Sequence, residues 1–132
     1  MAGIQEASSE HKRLVKALVD ELKNQGFEIT NARCEGYDVC QEVEGKVPDV
    51  KAYNRAKDFV VFGLAKTLED LCNEETEKAF KLFSHRFMAS GKAKGVAVPF
   101  CIAITKGSEK QLEAILIKLK LDKRKNIFRF AF

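Results

Sequence analysis

The sequence predicts an α/β domain in which a mixed β-sheet is flanked by helices, with elements in the order αβββαβαβ. Three observations lead there. Leu14, Val15, Leu18, Val19 and Leu22 recur at helical spacing near the start of the chain. Two apolar runs of strand length flank the polar residues 54–58, which is the pattern of a β-hairpin. After residue 67, helical stripes alternate with apolar strands, and crossover helices between strands of one sheet make part of that sheet parallel. With 132 residues, 45% of them hydrophobic and 32% charged, the chain can bury one real core and reads as a single domain over 1–132.

Each element has its own warrant. Residues 1–8 are small and polar and are expected to fray. A helix follows over 9–25, with Lys12, Lys16, Asp20, Glu21 and Lys23 mostly off its apolar face, and Gly26 closes it. Phe27, Ile29 and Ala32 mark a first strand over 27–34. The segment 34–47 carries Gly36, Gly45 and several carboxylates, so it reads as turns around an irregular stretch. The hairpin occupies 48–67. Thr67, with Asp70 three residues on, predicts a capping-box start to a helix whose core stripe is Leu68, Leu71, Phe80, Phe83 and Phe87. Residues 91–95 break that helix. Residues 96–105 are apolar on both faces and read as a central strand, although Pro99 calls for an edge position or a bulge. Ser108 and Gln111 form a second capping box ahead of a helix marked by Leu112, Ile115, Leu116 and Leu119. Phe128, Phe130 and Phe132 then alternate along a closing strand with one buried face.

Composition excludes several classes. No apolar run approaches the roughly 20 residues that cross a bilayer, and the start lacks the layout of a secretion signal, so no membrane partner and a cytosolic location are expected. A formal charge of +4 permits a polyanionic partner without demanding one. Cys34, Cys40, Cys72 and Cys101 show no close pairing of the kind zinc requires and read as buried free thiols in a reducing compartment. Nothing in the spacing sets a base, His11 or His85, beside Cys34 or Cys40 for thiol catalysis.

The hairpin carries the chemistry. Its first strand opens with Pro48-Asp49, and its second closes with Gly63-Leu64-Ala65-Lys66-Thr67, followed by Asp70-Leu71. Folded back, it brings Asp49 and residues 64–66 to one edge of a sheet. This arrangement resembles the core of the PD-(D/E)XK nuclease superfamily, whose restriction-endonuclease-like fold carries Pro-Asp on one strand and an acid, any residue, then Lys on the next. The element order agrees, and the likeness covers about 10–105. It is closest to the subgroup reading Gly-Glu-Ala-Lys-Thr, with Leu64 standing at the position of the missing acid.

The resemblance implies phosphodiester hydrolysis with Mg²⁺ or Mn²⁺, which activates water and offsets charge on the phosphate when carboxylates hold it. Asp49, the Ala65 carbonyl and the extra acid Glu10 would be metal ligands, and Lys66 the catalytic cation. Leu64 offers no oxygen, so the metal site is expected to be weak or absent. Glu74 and Glu77 are candidates to replace the lost acid; otherwise they are surface carboxylates. His11 reads as a surface or capping residue. DNA is the implied partner, with Lys46, Lys51, Arg55, Lys57, Lys92 and Lys94 as candidate phosphate contacts. Two functions follow: a nuclease-like DNA-binding or DNA-processing protein with impaired hydrolysis, or a non-catalytic protein–protein interaction or regulatory module on the same scaffold. In the second, Phe128, Phe130 and Phe132 could furnish a homodimer contact.

Overall fold

The computed structural model describes residues 8–132, so the expectation of fraying over 1–7 lies outside the described residues. Ser8, the last residue of that segment, is ordered as a cap. Its Oγ accepts the His11 N–H at 3.0 Å and starts α1 (Ser9–Asn24). Leu14, Leu18 and Leu22 are fully buried along one face of this helix. It ends as the sequence predicts: Gly26, at φ 93°, donates to the Lys23 carbonyl at 3.0 Å, and Phe27 donates to that of Leu22 at 3.0 Å. That pair of bonds satisfies two carbonyls the helix would otherwise leave open, and it needs a residue tolerant of positive φ.

Five strands form one mixed sheet: β1 (Glu28–Ala32), β2 (Val50–Asn54), β3 (Phe59–Lys66), β4 (Phe100–Ile104) and β5 (Ile127–Ala131), side by side in that order. β1, β2 and β3 are antiparallel, and β3, β4 and β5 are parallel. The remaining helices are α2 (Leu68–Leu71), α3 (Glu74–Ser84) and α4 (Glu109–Lys118). The α/β class and the mixed sheet flanked by helices agree with expectation, while the order is αβββααβαβ, with two helices where one was expected after the hairpin. β3 is buried on both faces. Val61 and Ala65 belong to the cluster built on α1, while Leu64 belongs to a second cluster with Leu71, Phe80, Ile102 and Leu116. Gly63 is what lets α1 approach, because a Cβ there would sit 2.7 Å from Leu18 Cδ2.

Local details depart from the sequence reading. The helix after the hairpin is broken at Cys72 and Asn73: α2 is a single short turn, and Asn73 starts α3 by accepting the Thr76 N–H at 2.8 Å. Thr67 does precede a helix, but its hydroxyl donates to the Asp70 carboxylate at 3.1 Å and caps no backbone N–H. Ser108 likewise makes no side-chain cap, and Glu109 instead accepts the Gly107 N–H at 2.7 Å. The strand expected over 96–105 is shorter. β4 begins just after Pro99, whose carbonyl accepts the Phe62 N–H at 3.1 Å, so the missing proline donor falls before the ladder and neither edge nor bulge is needed.

Burial also differs at the ends of the apolar stripes. Leu71, Phe80 and Phe83 are fully buried, but Leu68 is half exposed, and Phe87 lies beyond α3 at 58% exposure, bridged to Ala97. Phe128 is 46% exposed on the edge strand, because α1 does not extend over it; Phe130 and Phe132 pack on the α1 cluster, their rings stacked 6.1 Å apart. The cysteines are all free thiols. Cys40 and Cys101 are buried, Cys34 partly so, and Cys72 is exposed at the helix break, contrary to expectation. Among the described residues no helix is long and apolar enough to cross a membrane.

One side chain ties three distant segments. Asn126 Nδ2 donates to the Ser84 carbonyl at 2.9 Å and to that of Val98 at 3.0 Å, while its own carbonyl accepts the Phe100 N–H at 2.7 Å. Asn126→Ala strips the donor from two carbonyls and should lower stability by about 1–3 kcal/mol in urea unfolding.

Candidate functional site

The site begins with a mismatch in strand length. β2 starts at Val50, which pairs with Gly63, so β3 runs past it and the Ala65 N–H has no β2 carbonyl opposite. The Asp49 carboxylate fills the gap: its Oδ2 accepts the Ala65 N–H at 2.8 Å. Asp49 is only 6% exposed. Its N–H donates to the Gly63 carbonyl at 2.9 Å, and its own carbonyl accepts the Arg33 N–H at 2.8 Å. The second oxygen, Oδ1, lies 3.3 Å from His11 Nε2. A buried carboxylate needs polar partners, and here they are a backbone N–H on one oxygen and the His11 imidazole beside the other.

The first turn of α1 spans the end of β3. On one side His11 reaches Asp49 ahead of β2. On the other, Glu10 Oε2 accepts the Thr105 hydroxyl at 2.7 Å just after β4, where Ile104 pairs with Lys66. Glu10 is also held by Arg13 through Nε at 2.8 Å and Nη2 at 2.7 Å, and Arg13 donates onward to the Phe132 carbonyl at 2.9 Å. The Arg13 hydrogen bonds, followed by that of Thr105, hold the Glu10 carboxyl down at about 2.

Asp49, Ala65 and Glu10 therefore occupy one end of the sheet, with Lys66 one residue beyond the Asp49 contact. Ala65 meets Asp49 through its N–H. Among the described residues no salt bridge engages Lys66. Its charge instead contributes to holding Glu75 below the ordinary carboxylate range, a shift led by the Lys46 hydrogen bond at 2.7 Å. Leu64 is 4% exposed and turned into the second apolar cluster. Glu77 is paired with Lys118 of α4 at 2.8 Å, and Glu74 is exposed at the start of α3. Of the candidate phosphate contacts, Lys46 is paired with Glu75, and Arg55 is bound by both oxygens of Glu28 at 2.7 and 3.0 Å.

Glu75 is the residue that sequence reasoning missed, and His11, read as a surface or capping residue, instead has a side chain only 13% exposed and turned to Asp49. His11 was visible as the neighbour of Glu10 in a helical first turn, but its partner lies across the fold. Burial pushes the Cys40 thiol up to about 11 and that of Cys101 to about 12, and His85 Nδ1 is 2.8 Å from the Lys81 carbonyl.

These donors do not fit Mg²⁺ or Mn²⁺. A hard cation wants several converging oxygens, whereas Asp49 accepts the Ala65 N–H and lies against the His11 imidazole, Glu10 faces a guanidinium and Leu64 supplies none. Among the described residues no group of three or more His, Cys, Asp or Glu side chains could hold a metal ion. What the arrangement does chemically is close the sheet end and fix the first turn of α1 against it.

Two outcomes test this. Asp49→Ala leaves the Ala65 N–H unpartnered and should cost about 1–3 kcal/mol, part of which Asp49→Asn recovers through its carbonyl, as measured by urea unfolding. Because the folded-state pKa of Glu10 is depressed from 4.5 to about 2, its contribution is present above 4.5 and lost as pH falls toward 2. The stability gap between the wild type and Glu10→Gln should therefore shrink over that acid window in thermal melts.

No protein-family model, curated protein or solved structure matches this chain.

Proposed function

We propose that this chain is a nuclease-like DNA-binding domain of restriction-endonuclease-like topology whose hydrolytic centre is silent, so that it holds duplex or branched DNA without cutting it. The observation that carries the reading is the fate of the motif positions. Asp49 and Lys66 share one sheet end in the order the PD-(D/E)XK pattern requires, but Leu64 is packed into the core, one Asp49 oxygen accepts the Ala65 N–H and the other lies 3.3 Å from His11 Nε2. The net charge of +4 supports a polyanionic partner. Lys51, Lys57, Lys92 and Lys94 lie outside the salt bridges formed among the described residues and remain the candidates for phosphate contact.

A second reading, a non-catalytic interaction or regulatory module, draws support from the half-exposed Phe128 on the edge strand β5, which a second copy could cover. A binding and nicking assay on linear duplex and four-way branched DNA separates the two. The first reading expects binding that weakens with salt, persists in chelator and is accompanied by no nicking when Mg²⁺ is added. Mg²⁺-dependent nicking that disappears in Asp49→Asn would overturn the silent centre. No binding at low salt, together with a stable dimer in sedimentation, would favour the second reading. Leu64→Glu places a carboxylate among Leu71, Phe80 and Ile102; it should cost at least about 2 kcal/mol of stability and restore no cleavage.

A further inference from the structure

At the end of the sheet opposite Asp49, Asn126 binds the segment after α3, the approach to β4 and the approach to β5 into one surface. This surface is apolar where the fold could have covered it and basic around the rim. Phe87, Val96 and Phe128 are exposed there at 58%, 57% and 46%. Phe128 stands between two clefts. One, of about 470 Å³, is lined by Val96, Pro99, Arg124 and Lys125. The other, of about 350 Å³, lies beyond the C-terminal end of α1 and is walled by Phe27, Phe59, Val61, Cys101 and Phe130.

The charge around the clefts is largely unpaired, Lys92 alone having a carboxylate, that of Asp58, near enough for its charge to be felt. Lys123, Arg124 and Lys125 are consecutive, and Lys92 and Lys94 sit in the loop leading to Val96. Among the described residues none of the five enters a salt bridge. Arg124 is steadied by a neutral partner, with Nε donating to Asn126 Oδ1 at 3.2 Å, so its charge is positioned without being cancelled. The nearby carboxylate of Asp58 is already occupied by the Tyr53 hydroxyl at 2.6 Å and the Lys92 N–H at 3.1 Å.

We infer that this surface binds single-stranded DNA, with a base stacked on Phe128 and seated toward the apolar cleft while Arg124 and Lys125 take the flanking phosphates. An unstacked base offers an apolar ring beside an anionic backbone, and an exposed ring beside unpaired cations is its complement. A protein partner fits less well, because lysine is depleted at the centres of protein interfaces and here it crowds the patch. Phe87 and Val96 extend the apolar floor along which a second base would lie. The inference rests on the DNA-binding reading above and shares Lys92 and Lys94 with it, and it is tested through Phe128, Arg124 and Lys125, which that reading does not use.

The experiment is fluorescence anisotropy of a labelled oligothymidylate with the full chain, in chelator and across a salt series, set beside the duplex and branched DNA used above. The oligothymidylate should bind. Phe128→Ala should weaken it on the order of tenfold, Phe128→Leu should weaken it nearly as much, and Phe128→Tyr should retain it, because the ring rather than apolar area is what stacks. Arg124→Glu with Lys125→Glu should weaken binding and flatten its salt dependence. Phe128 is an edge residue, and a melting curve for each variant shows that the fold is intact. Binding indifferent to both sets of changes would overturn the inference, as would self-association in sedimentation that Phe128→Ala abolishes, which would make the face an interface between copies. If duplex and branched DNA bind while the oligothymidylate does not, this inference fails and the earlier reading stands. If the oligothymidylate alone binds, the converse holds.

Discussion

Everything about the sheet end follows from β3 being buried on both faces. A strand covered twice must supply apolar or small side chains in both directions, and residues 61–65, Val-Phe-Gly-Leu-Ala, do so. Gly63 admits Leu18 from α1, and Leu64 fills the opposite cluster. Leu64 is thus more than an absent carboxylate: it is a core residue of the face that α2, α3 and α4 cover. The same burial obliges the Ala65 N–H to find an acceptor where β2 has ended, and Asp49 is held there for that reason as firmly as a metal ligand would be.

The sequence made the scaffold legible because the scaffold is periodic. The stripe of α1, the hairpin around 54–58 and the apolar β4 each repeat a spacing that backbone geometry dictates. Where an element stops, or whether its apolar face is covered, depends on parts of the chain far away. Phe87 and Phe128 fit their stripes and are nevertheless exposed, since α3 ends at Ser84 and Phe128 is on the face of β5 away from α4, beyond the reach of α1. Thr67 and Ser108 fit the capping pattern, yet neither hydroxyl caps a backbone N–H, Thr67 turning instead to the Asp70 carboxylate.

The candidate site was legible in part for the same reason. Asp49 and Ala65 meet because hairpin register is local, and alternation along β3 put Leu64 and Lys66 on a common face. The partners that decide what these groups do are not local. His11 comes from another element to lie against the remaining Asp49 oxygen, and Arg13 engages both oxygens of Glu10, one of which Thr105 shares. No spacing rule reaches across such distances in the chain, so the chemistry of the sheet end had to be read from coordinates.

The bonds of Arg13 bear on how the molecule assembles. The hairpin closes over a few residues, and α1 can settle on β1, β2 and β3 once those exist. Its first turn is fastened by Thr105, 95 residues away, and by Phe132, 119 residues away. Closing loops of that length costs entropy before any bond rewards the meeting. The corner that holds Glu10 therefore depends on both ends of the chain, and a change in β4 or β5 that moves Thr105 or Phe132 reaches it directly.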